Sequence, residues 1–158
     1  MPIHKGIKII AENRKAFHDY FIEDKYECGI CLSGTEVKSL RAGKVNLKDS
    51  YVTIKEGEAF LVGVHISPYE MGNRFNLDPE RSRKLLLHKK EIIRLFSTIK
   101  QDGLTLVPTK CYFKDGRVKF EIGLARGKKN YDKRDTEAKK QAQRDIDRAM
   151  KGNLKGNR

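Results

Sequence analysis

Residues 117–134 mark the point at which a folded body gives way to a basic tail. Every second residue of the first part is apolar, namely Val118, Phe120, Ile122 and Leu124. Such alternation predicts a strand with one buried and one solvated face. Residues 125–134 have no apolar period at all. We therefore predict that the hydrophobic core ends here, with a β-barrel domain at residues 1–127 and a tail at residues 128–158.

The charge balance points to a polyanionic partner. The 158 residues include 34 Lys and Arg against 21 Asp and Glu, a formal net charge of +13. Residues 126–158 carry 12 of the basic and five of the acidic residues, so the tail is especially basic. Nucleic acid is the commonest partner of such a chain.

Several features predict a cytoplasmic location. Residues 1–8 lack the apolar region of a signal peptide. No apolar run approaches the ~18 residues that span a bilayer, so we expect no membrane association. Three cysteines without a disulfide framework fit a reducing compartment.

The tail contains one helical face. Its apolar residues recur at helical spacing, as Ala138, Ala142, Ile146, Ala149 and Met150. Asp132 or Asp135 is the predicted cap, and Gly152 the predicted end. Because most of the stripe is alanine, it buries too little surface to offset the entropy of ordering. We predict a tail that is disordered when free and helical when bound.

Strands dominate the body. Residues 26–33 alternate as one strand, and residues 104–113 and 117–124 form a hairpin across Asp115-Gly116. A second hairpin joins residues 50–55 and 58–66.

Three helices accompany these strands. One is short, at residues 17–21, and a second begins with a capping box from Ser33 to Glu36. The longest is predicted to begin at Asp78 and to end at Gly103. Hairpins without repeated strand–helix alternation predict a mainly β fold with helices, an antiparallel oligonucleotide-binding-like barrel.

Motifs for catalysis or metal binding are weak, so we expect neither an enzyme nor a bound cofactor. Cys28 and Cys31 match C-x-x-C, but strand residues three apart face opposite sides, and a zinc ribbon needs a second pair. Residues 123–129 are one position too short for a phosphate loop. A nucleic-acid-modifying enzyme would need a carboxylate or histidine site that no spacing indicates.

A basic and aromatic set lies near the Asp115-Gly116 turn: Tyr112, Phe113, Lys114, Arg117, Lys119 and Phe120. It could stack bases and contact phosphate. Alternatively, the aromatic rings belong to the core and the cations only solvate the barrel.

Long stretches of the chain resemble the small protein B (SmpB) family, the SsrA-binding proteins of bacteria. They are AENRKAFHDYFIEDKYECGICLSGTEVKSLRAGKVNLKDSYV, GEAFLVGVHISPY, DPERSRKLLLHKKEI and KFEIGLARGKKNYDKRD. The resemblance covers residues 10–150. It implies an oligonucleotide-binding-like barrel and a role in trans-translation, the rescue of ribosomes stalled on messages that lack a stop codon. The implied partners are transfer-messenger RNA, the 30S and 70S ribosome and, through the aminoacylated RNA, elongation factor Tu. We expect a monomer that binds and delivers this RNA.

The resemblance also assigns residues. The positions matched to RNA binding are Glu27, Leu86, His88, Lys119, Arg126, Lys128 and Lys129. Those matched to the ribosomal decoding centre are Tyr131, Asp132, Lys133 and Arg134, and Ile146 and Met150 fall on the tail helix. The tail is thereby expected to occupy the empty message channel. The alternative is a basic ribosomal or ribosome-assembly protein, which would be present on all ribosomes.

Overall fold

Two units make up the chain, the first ending at Gly127 and the second beginning at Lys128. The computed structural model describes residues 6–69 and 77–156. In this part of the chain the first unit has nine strands, namely β1 (Ile7–Glu12), β2 (Tyr20–Ile30), β3 (Val45–Asn46), β4 (Tyr51–Lys55), β5 (Glu58–Val62), β6 (His65–Ile66), β7 (Arg83–Leu86), β8 (Thr105–Lys114) and β9 (Arg117–Gly127). The helices of the first unit are α1 (Arg14–Asp19), α2 (Gly34–Arg41) and α3 (Lys89–Asp102), and the second unit holds α4 (Asn130–Gly156).

Six of the strands close into a barrel. Their order is β8–β4–β5–β7–β2–β9, and β9 pairs again with β8. All of the pairings are antiparallel, and β1 adds to the free part of the β8 edge. A mainly β fold built as an antiparallel barrel, with helices beside it, is therefore confirmed.

Both predicted hairpin turns are present and have the expected conformation. Glu56 and Gly57 have φ angles of 51° and 76°, and Asp115 and Gly116 have 51° and 79°. Two successive positive φ angles match the twist of the flanking strands, and glycine adopts them without steric cost. These turns set the registers of β4 with β5 and of β8 with β9.

The predicted capping box at α2 is also confirmed. The backbone N–H of Glu36 donates to Ser33 Oγ at 3.3 Å, and the Ser33 N–H donates to Glu36 Oε1 at 3.0 Å. Two donors that the helix leaves without partners are thereby satisfied.

The longest helix begins later than predicted, because part of the expected helix is a strand. Asp78 begins a turn rather than the helix, accepting from the Glu80 N–H at 2.9 Å. β7 follows, with Arg83 and Leu85 buried and Lys84 and Leu86 exposed. α3 then starts at Lys89 and ends at Gly103, whose φ of 63° is the expected left-handed cap.

The bounds of three other elements differ from the prediction. The short helix covers residues 14–19 rather than 17–21, because the Asn13 side chain accepts from the Ala16 N–H and caps it. β2 starts at Tyr20, and β9 continues to Gly127, so the buried core extends one residue beyond Leu124 to Ala125.

The aromatic residues near the Asp115-Gly116 turn lie in different surroundings. Phe120 is fully buried in the core, and Phe113 packs partly buried against it. Tyr112 pairs with Lys119 across the hairpin and is only 8% exposed. The core alternative therefore holds for Phe120, and the covered rings of Phe120 and Tyr112 are not available to stack bases. Lys114 and Arg117 remain accessible on the outer surface.

The second unit is one long helix. α4 extends beyond both of its predicted ends, since Gly152 lies within it and Asp132 lies in its first turn. The Asp132 carboxylate accepts from the Lys129 N–H at 3.2 Å, which helps to begin the helix. That the tail is disordered in the free protein stays a prediction. Over the described ranges, no helix is long and apolar enough to cross a membrane.

Candidate RNA interface

Four of the residues assigned by resemblance come together on the first unit. Glu27, Leu86, His88 and Lys119 line one open cavity of about 380 Å³. They come from β2, the end of β7, the residue before α3, and β9. Their positions span more than 90 residues of sequence, so only the barrel topology brings them together.

The strand registers determine which side chains face outward. Cys28 pairs with Phe120 across β2 and β9, and both point into the core. Because strand side chains alternate, their neighbours Glu27 and Lys119 point outward. On β7, Leu85 points into the core and Leu86 points outward, with exposed fractions of 1% and 53%.

A glycine allows Leu86 to lie against the next strand. Gly29 of β2 pairs directly with Leu86 of β7. A Cβ atom at Gly29 would lie 3.3 Å from Leu86 Cδ1, which is closer than nearly all real contacts of this kind. The missing side chain therefore makes room for an exposed leucine. Sequence reasoning overlooked Gly29, although a glycine inside a strand does indicate close approach.

Glu27 is held by two partners from β8. The Tyr112 hydroxyl donates to Glu27 Oε2 at 2.5 Å, and Lys114 Nζ lies 3.3 Å from Oε1 and 3.4 Å from Oε2. The Tyr112 hydrogen bond, with Lys114 and Lys119, holds the pKa of Glu27 below its usual value, although partial burial opposes the shift. Burial and the adjacent carboxylate raise the pKa of Tyr112, so it remains a donor. At neutral pH, Glu27 is an ionised acceptor.

Cations surround this acceptor. Lys114, Arg117 and Lys119 line a neighbouring cavity of about 420 Å³ together with Glu27. Lys114 and Arg117 are opposite each other across the hairpin. The surface thus combines cations that are able to bind phosphate, the oriented Glu27 carboxylate and the exposed Leu86 side chain, with Glu91 and Asp115 also lining the two cavities. This combination suits a folded RNA, which offers phosphates and unstacked bases.

The other assigned basic residues belong to the end of β9 and to the second unit. Arg126 is at the opposite end of β9 from Lys119, and its Nη2 is 3.0 Å from Glu23 Oε1. Lys128 belongs to the second unit, where its Nζ donates to Thr136 Oγ1 at 2.9 Å. Lys129 contributes its backbone N–H to the start of α4. The RNA contacts of all three stay predictions.

The residues assigned to the decoding centre lie at the start of α4. Asp132, Lys133 and Arg134 occupy its first turns, while the side chain of Tyr131 is outside the described part of the structure. Ile146 and Met150 are exposed and one helical turn apart. Asp132 also has the structural function predicted for it, because its carboxylate accepts from the Lys129 N–H at the start of the helix.

The two cysteines of the C-x-x-C motif differ in exposure, as strand geometry predicts. Cys28 is buried and Cys31 is exposed, so the C-x-x-C pair does not converge. Burial raises the pKa of the Cys28 and Cys111 thiols to about 12. Among the residues that the structure describes, no cluster of His, Cys, Asp and Glu could hold a metal ion.

Comparison with known proteins establishes the family. The family model described as SmpB protein matches residues 10–152, which is most of the chain. The chain belongs to the SmpB family. A curated SsrA-binding protein of Acetivibrio thermocellus is 62% identical over 148 residues, covering 94% of this chain and 96% of that protein. An SsrA-binding protein of Geotalea uraniireducens is 62% identical over 144 residues, covering 91% of this chain and 95% of that protein.

A solved SmpB structure supports the same assignment. It comes from work described as "tmRNA-SmpB: a journey to the center of the bacterial ribosome", and its chain is 55% identical to this one. The TM-score is 0.65, with 76% of this chain and 85% of that chain covered. The family resemblance noted in the sequence is therefore confirmed.

Proposed function

We propose that this SmpB-family protein binds the transfer-RNA-like domain of transfer-messenger RNA and delivers it to stalled ribosomes. The observation that carries the proposal is the convergence of Glu27, Leu86, His88 and Lys119 on one cavity. Relatives that match nearly the whole chain are named SsrA-binding proteins, which makes the partner an SsrA RNA.

The barrel surface offers what binding of a folded RNA needs. Lys114, Arg117 and Lys119 supply charge for the phosphates, which position an RNA but do not identify it. Glu27 and Leu86 supply an acceptor and an apolar contact, which suit bases that are splayed out of a helix. Shape and base contacts then add selectivity to an attraction that is mainly electrostatic.

The tail supplies the second half of the function. Transfer-messenger RNA lacks an anticodon stem, so the basic tail takes that place in the ribosome. The empty message channel has walls of polyanionic RNA, which attract residues 126–158 with their 12 basic and five acidic residues. Tyr131, Lys133 and Arg134 then contact the decoding centre, and Ile146 and Met150 lie against the channel. An intact message competes for the same space, which restricts the reaction to stalled ribosomes.

This function is binding and delivery rather than catalysis. The protein acts as a monomer in the cytoplasm, where its RNA and the ribosome are located. It meets elongation factor Tu only through the aminoacylated RNA, and it needs no cofactor.

The experiment that tests the proposal identifies the RNA that co-purifies with the protein from its own cells. The proposal predicts transfer-messenger RNA in excess over other species, retained on stalled but not on translating ribosomes. Stoichiometric recovery with all ribosomes, without enrichment of transfer-messenger RNA, would instead establish a ribosomal or assembly protein.

A further inference from the structure

We propose that Tyr112 is a positioning residue for RNA recognition, because its hydroxyl fixes the Glu27 carboxylate in the orientation that accepts a hydrogen bond from an unpaired base. The inference rests on the proposed function, since it concerns the same surface. It adds a residue that does not itself face the RNA, and it specifies the chemical group that Glu27 recognises.

Tyr112 is nearly buried, whereas the Glu27 carboxylate with which it forms a hydrogen bond is accessible. Tyr112 is only 8% exposed, and it lies on β8 directly opposite Lys119. Its hydroxyl reaches Glu27 Oε2 at 2.5 Å across 85 residues of sequence. The Glu27 side chain is 40% exposed, so the carboxylate can meet a ligand while the phenol cannot. Tyr112 thus influences the RNA through Glu27 and not by stacking.

The Glu27 carboxylate keeps free acceptor positions for a ligand. An ionised carboxylate can accept at about four positions. Tyr112 occupies one of them, and Lys114 lies almost equally far from both oxygens and shares another. About two positions therefore remain toward solvent.

The remaining positions need a hydrogen-bond donor. A carboxylate repels phosphate, so the phosphate groups of the RNA are excluded as its direct partner. Unpaired bases present N–H groups on their Watson–Crick edges, and the cytosine amino group is a recognised donor to glutamate. The surrounding cations attract the backbone, which places a base edge within reach of the carboxylate.

Preorganisation explains why a buried tyrosine is useful here. An exposed glutamate samples several rotamers, and binding must select one of them at an entropic cost. A partner that selects that rotamer beforehand lowers this cost. The Lys114 side chain is 42% exposed, whereas Tyr112 is only 8% exposed and its ring is held by packing. The phenol is therefore the group that determines the orientation.

Other ionisable groups near Glu27 affect binding but not the comparison of variants. Lys119, Arg117 and Glu121 face it from β9, Lys114 faces it from β8, and Asp115 faces it from the turn between these strands. His88 and Glu91 lie at the start of α3 in the same cavity. All of them are unchanged when the Tyr112 hydroxyl is removed. Differences between two proteins that share them can be attributed to that hydroxyl.

The test compares Tyr112→Phe with the parent, using fluorescence anisotropy with the transfer-RNA-like domain of transfer-messenger RNA at fixed salt. Removing a hydrogen bond to a charged group should weaken binding about tenfold. Tyr51→Phe is the matched control, because Tyr51 lies on β4 away from this surface, and it should bind like the parent. Circular dichroism confirms that each variant is folded.

A double-mutant cycle distinguishes positioning from general support. In a Glu27→Ala background, Tyr112→Phe should cause little further loss, because the acceptor on which it acts is already absent. Glu27→Asp provides a second variant at an exposed site. It keeps the charge but withdraws the carboxylate from the hydroxyl, and it should bind as weakly as Tyr112→Phe. Equal losses from Tyr112→Phe in both backgrounds would overturn the inference.

A pH profile supplies an independent readout. Without the Tyr112 hydrogen bond, the pKa of Glu27 should rise, so binding by Tyr112→Phe should weaken at a higher pH than binding by the parent when the solution is acidified. Superimposable profiles would overturn the inference. Failure of the parent itself to bind this RNA would reject the proposed function, whereas a parent and a Tyr112→Phe variant that bind equally well would reject only the assignment of Tyr112.

Discussion

Arg83 and Glu36 form an ion pair in the wall of the barrel, with Arg83 Nε donating to Glu36 Oε2 at 2.6 Å. Arg83 is completely buried, and its other nitrogens donate to the carbonyl oxygens of Val64 at 2.8 Å and Pro79 at 2.9 Å. Arg81 donates to the same carboxylate at 2.5 Å. The pair connects α2 to β7, the strand that carries Leu86.

Removing the Glu36 carboxylate should strongly destabilise the barrel. Glu36→Ala leaves a buried guanidinium without its counter-ion, which costs about 3–5 kcal/mol of unfolding free energy. Glu58→Ala is the matched control, because Glu58 pairs with Lys84 at 3.3 Å on the exposed surface. That pair is worth less than about 1 kcal/mol. Urea unfolding measures both, and equal losses would contradict a structural role for the buried pair.

The same carboxylate should make stability depend on pH. Burial alone would raise the pKa of Glu36, but hydrogen bonds from Arg81, the Ser33 backbone and Arg83 hold it below its ordinary value of 4.5. A lowered pKa in the folded state stabilises the protein above about pH 4.5, and this contribution is lost as the pH falls through the folded value. The stability difference between the parent and Glu36→Gln should therefore shrink below pH 4.5. A constant difference across that range would show that Glu36 does not titrate as described.

The three cysteines should differ in reactivity. Cys28 and Cys111 are buried, and desolvation raises the pKa of each thiol to about 12, so little thiolate forms near pH 8. Cys31 is exposed. A colorimetric thiol reagent at that pH should modify one thiol rapidly in the folded protein and three after denaturation. Rapid reaction of three thiols in the folded state would mean that the barrel opens readily.

Adjacent leucines provide a test that separates stability from binding. Leu85→Ala removes a buried side chain and should cost about 2–5 kcal/mol of unfolding free energy. Leu86→Ala changes a side chain that is 53% exposed and should alter stability by no more than about 0.5 kcal/mol. RNA affinity, measured where both variants are folded, should fall more for Leu86→Ala. Parent-like affinity of Leu86→Ala would remove this leucine from the interface.

Leu85 and Leu86 also show how far sequence reasoning extends. Three consecutive leucines at 85–87 hide the two-residue period of a strand, and the helix signal at Asp78 and Pro79 is satisfied by a turn. The strand is recognisable only once Arg83 is seen paired with Glu36, a contact across 47 residues. Sequence patterns predicted the structure correctly where it depends on residues close together in the chain, as in the Ser33 capping box and the Asp115-Gly116 turn.

The candidate site likewise combines features that sequence patterns predict with contacts that depend on the fold. Periodicity indicates that Lys119 points outward from β9, because its neighbours are buried. It cannot bring Lys119 to Glu27 or Leu86, since their proximity depends on barrel closure. Resemblance to a family supplied those positions. Neither source revealed the hydrogen bond from Tyr112, because on periodicity and composition a buried aromatic ring and a base-stacking ring look alike.

Peptide tagging of ribosomes stalled on a message without a stop codon tests the central claim most directly. Three proteins should be compared: the parent, a deletion of the chain from residue 128, and a tail of the same composition in scrambled order. All three should bind transfer-messenger RNA equally well, because the barrel is intact in each. We predict that only the parent supports tagging, since Tyr131, Lys133, Arg134 and the α4 face with Ile146 and Met150 must meet specific parts of the ribosome. Full tagging by the scrambled tail would contradict the account and would reduce the tail to a nonspecific basic anchor.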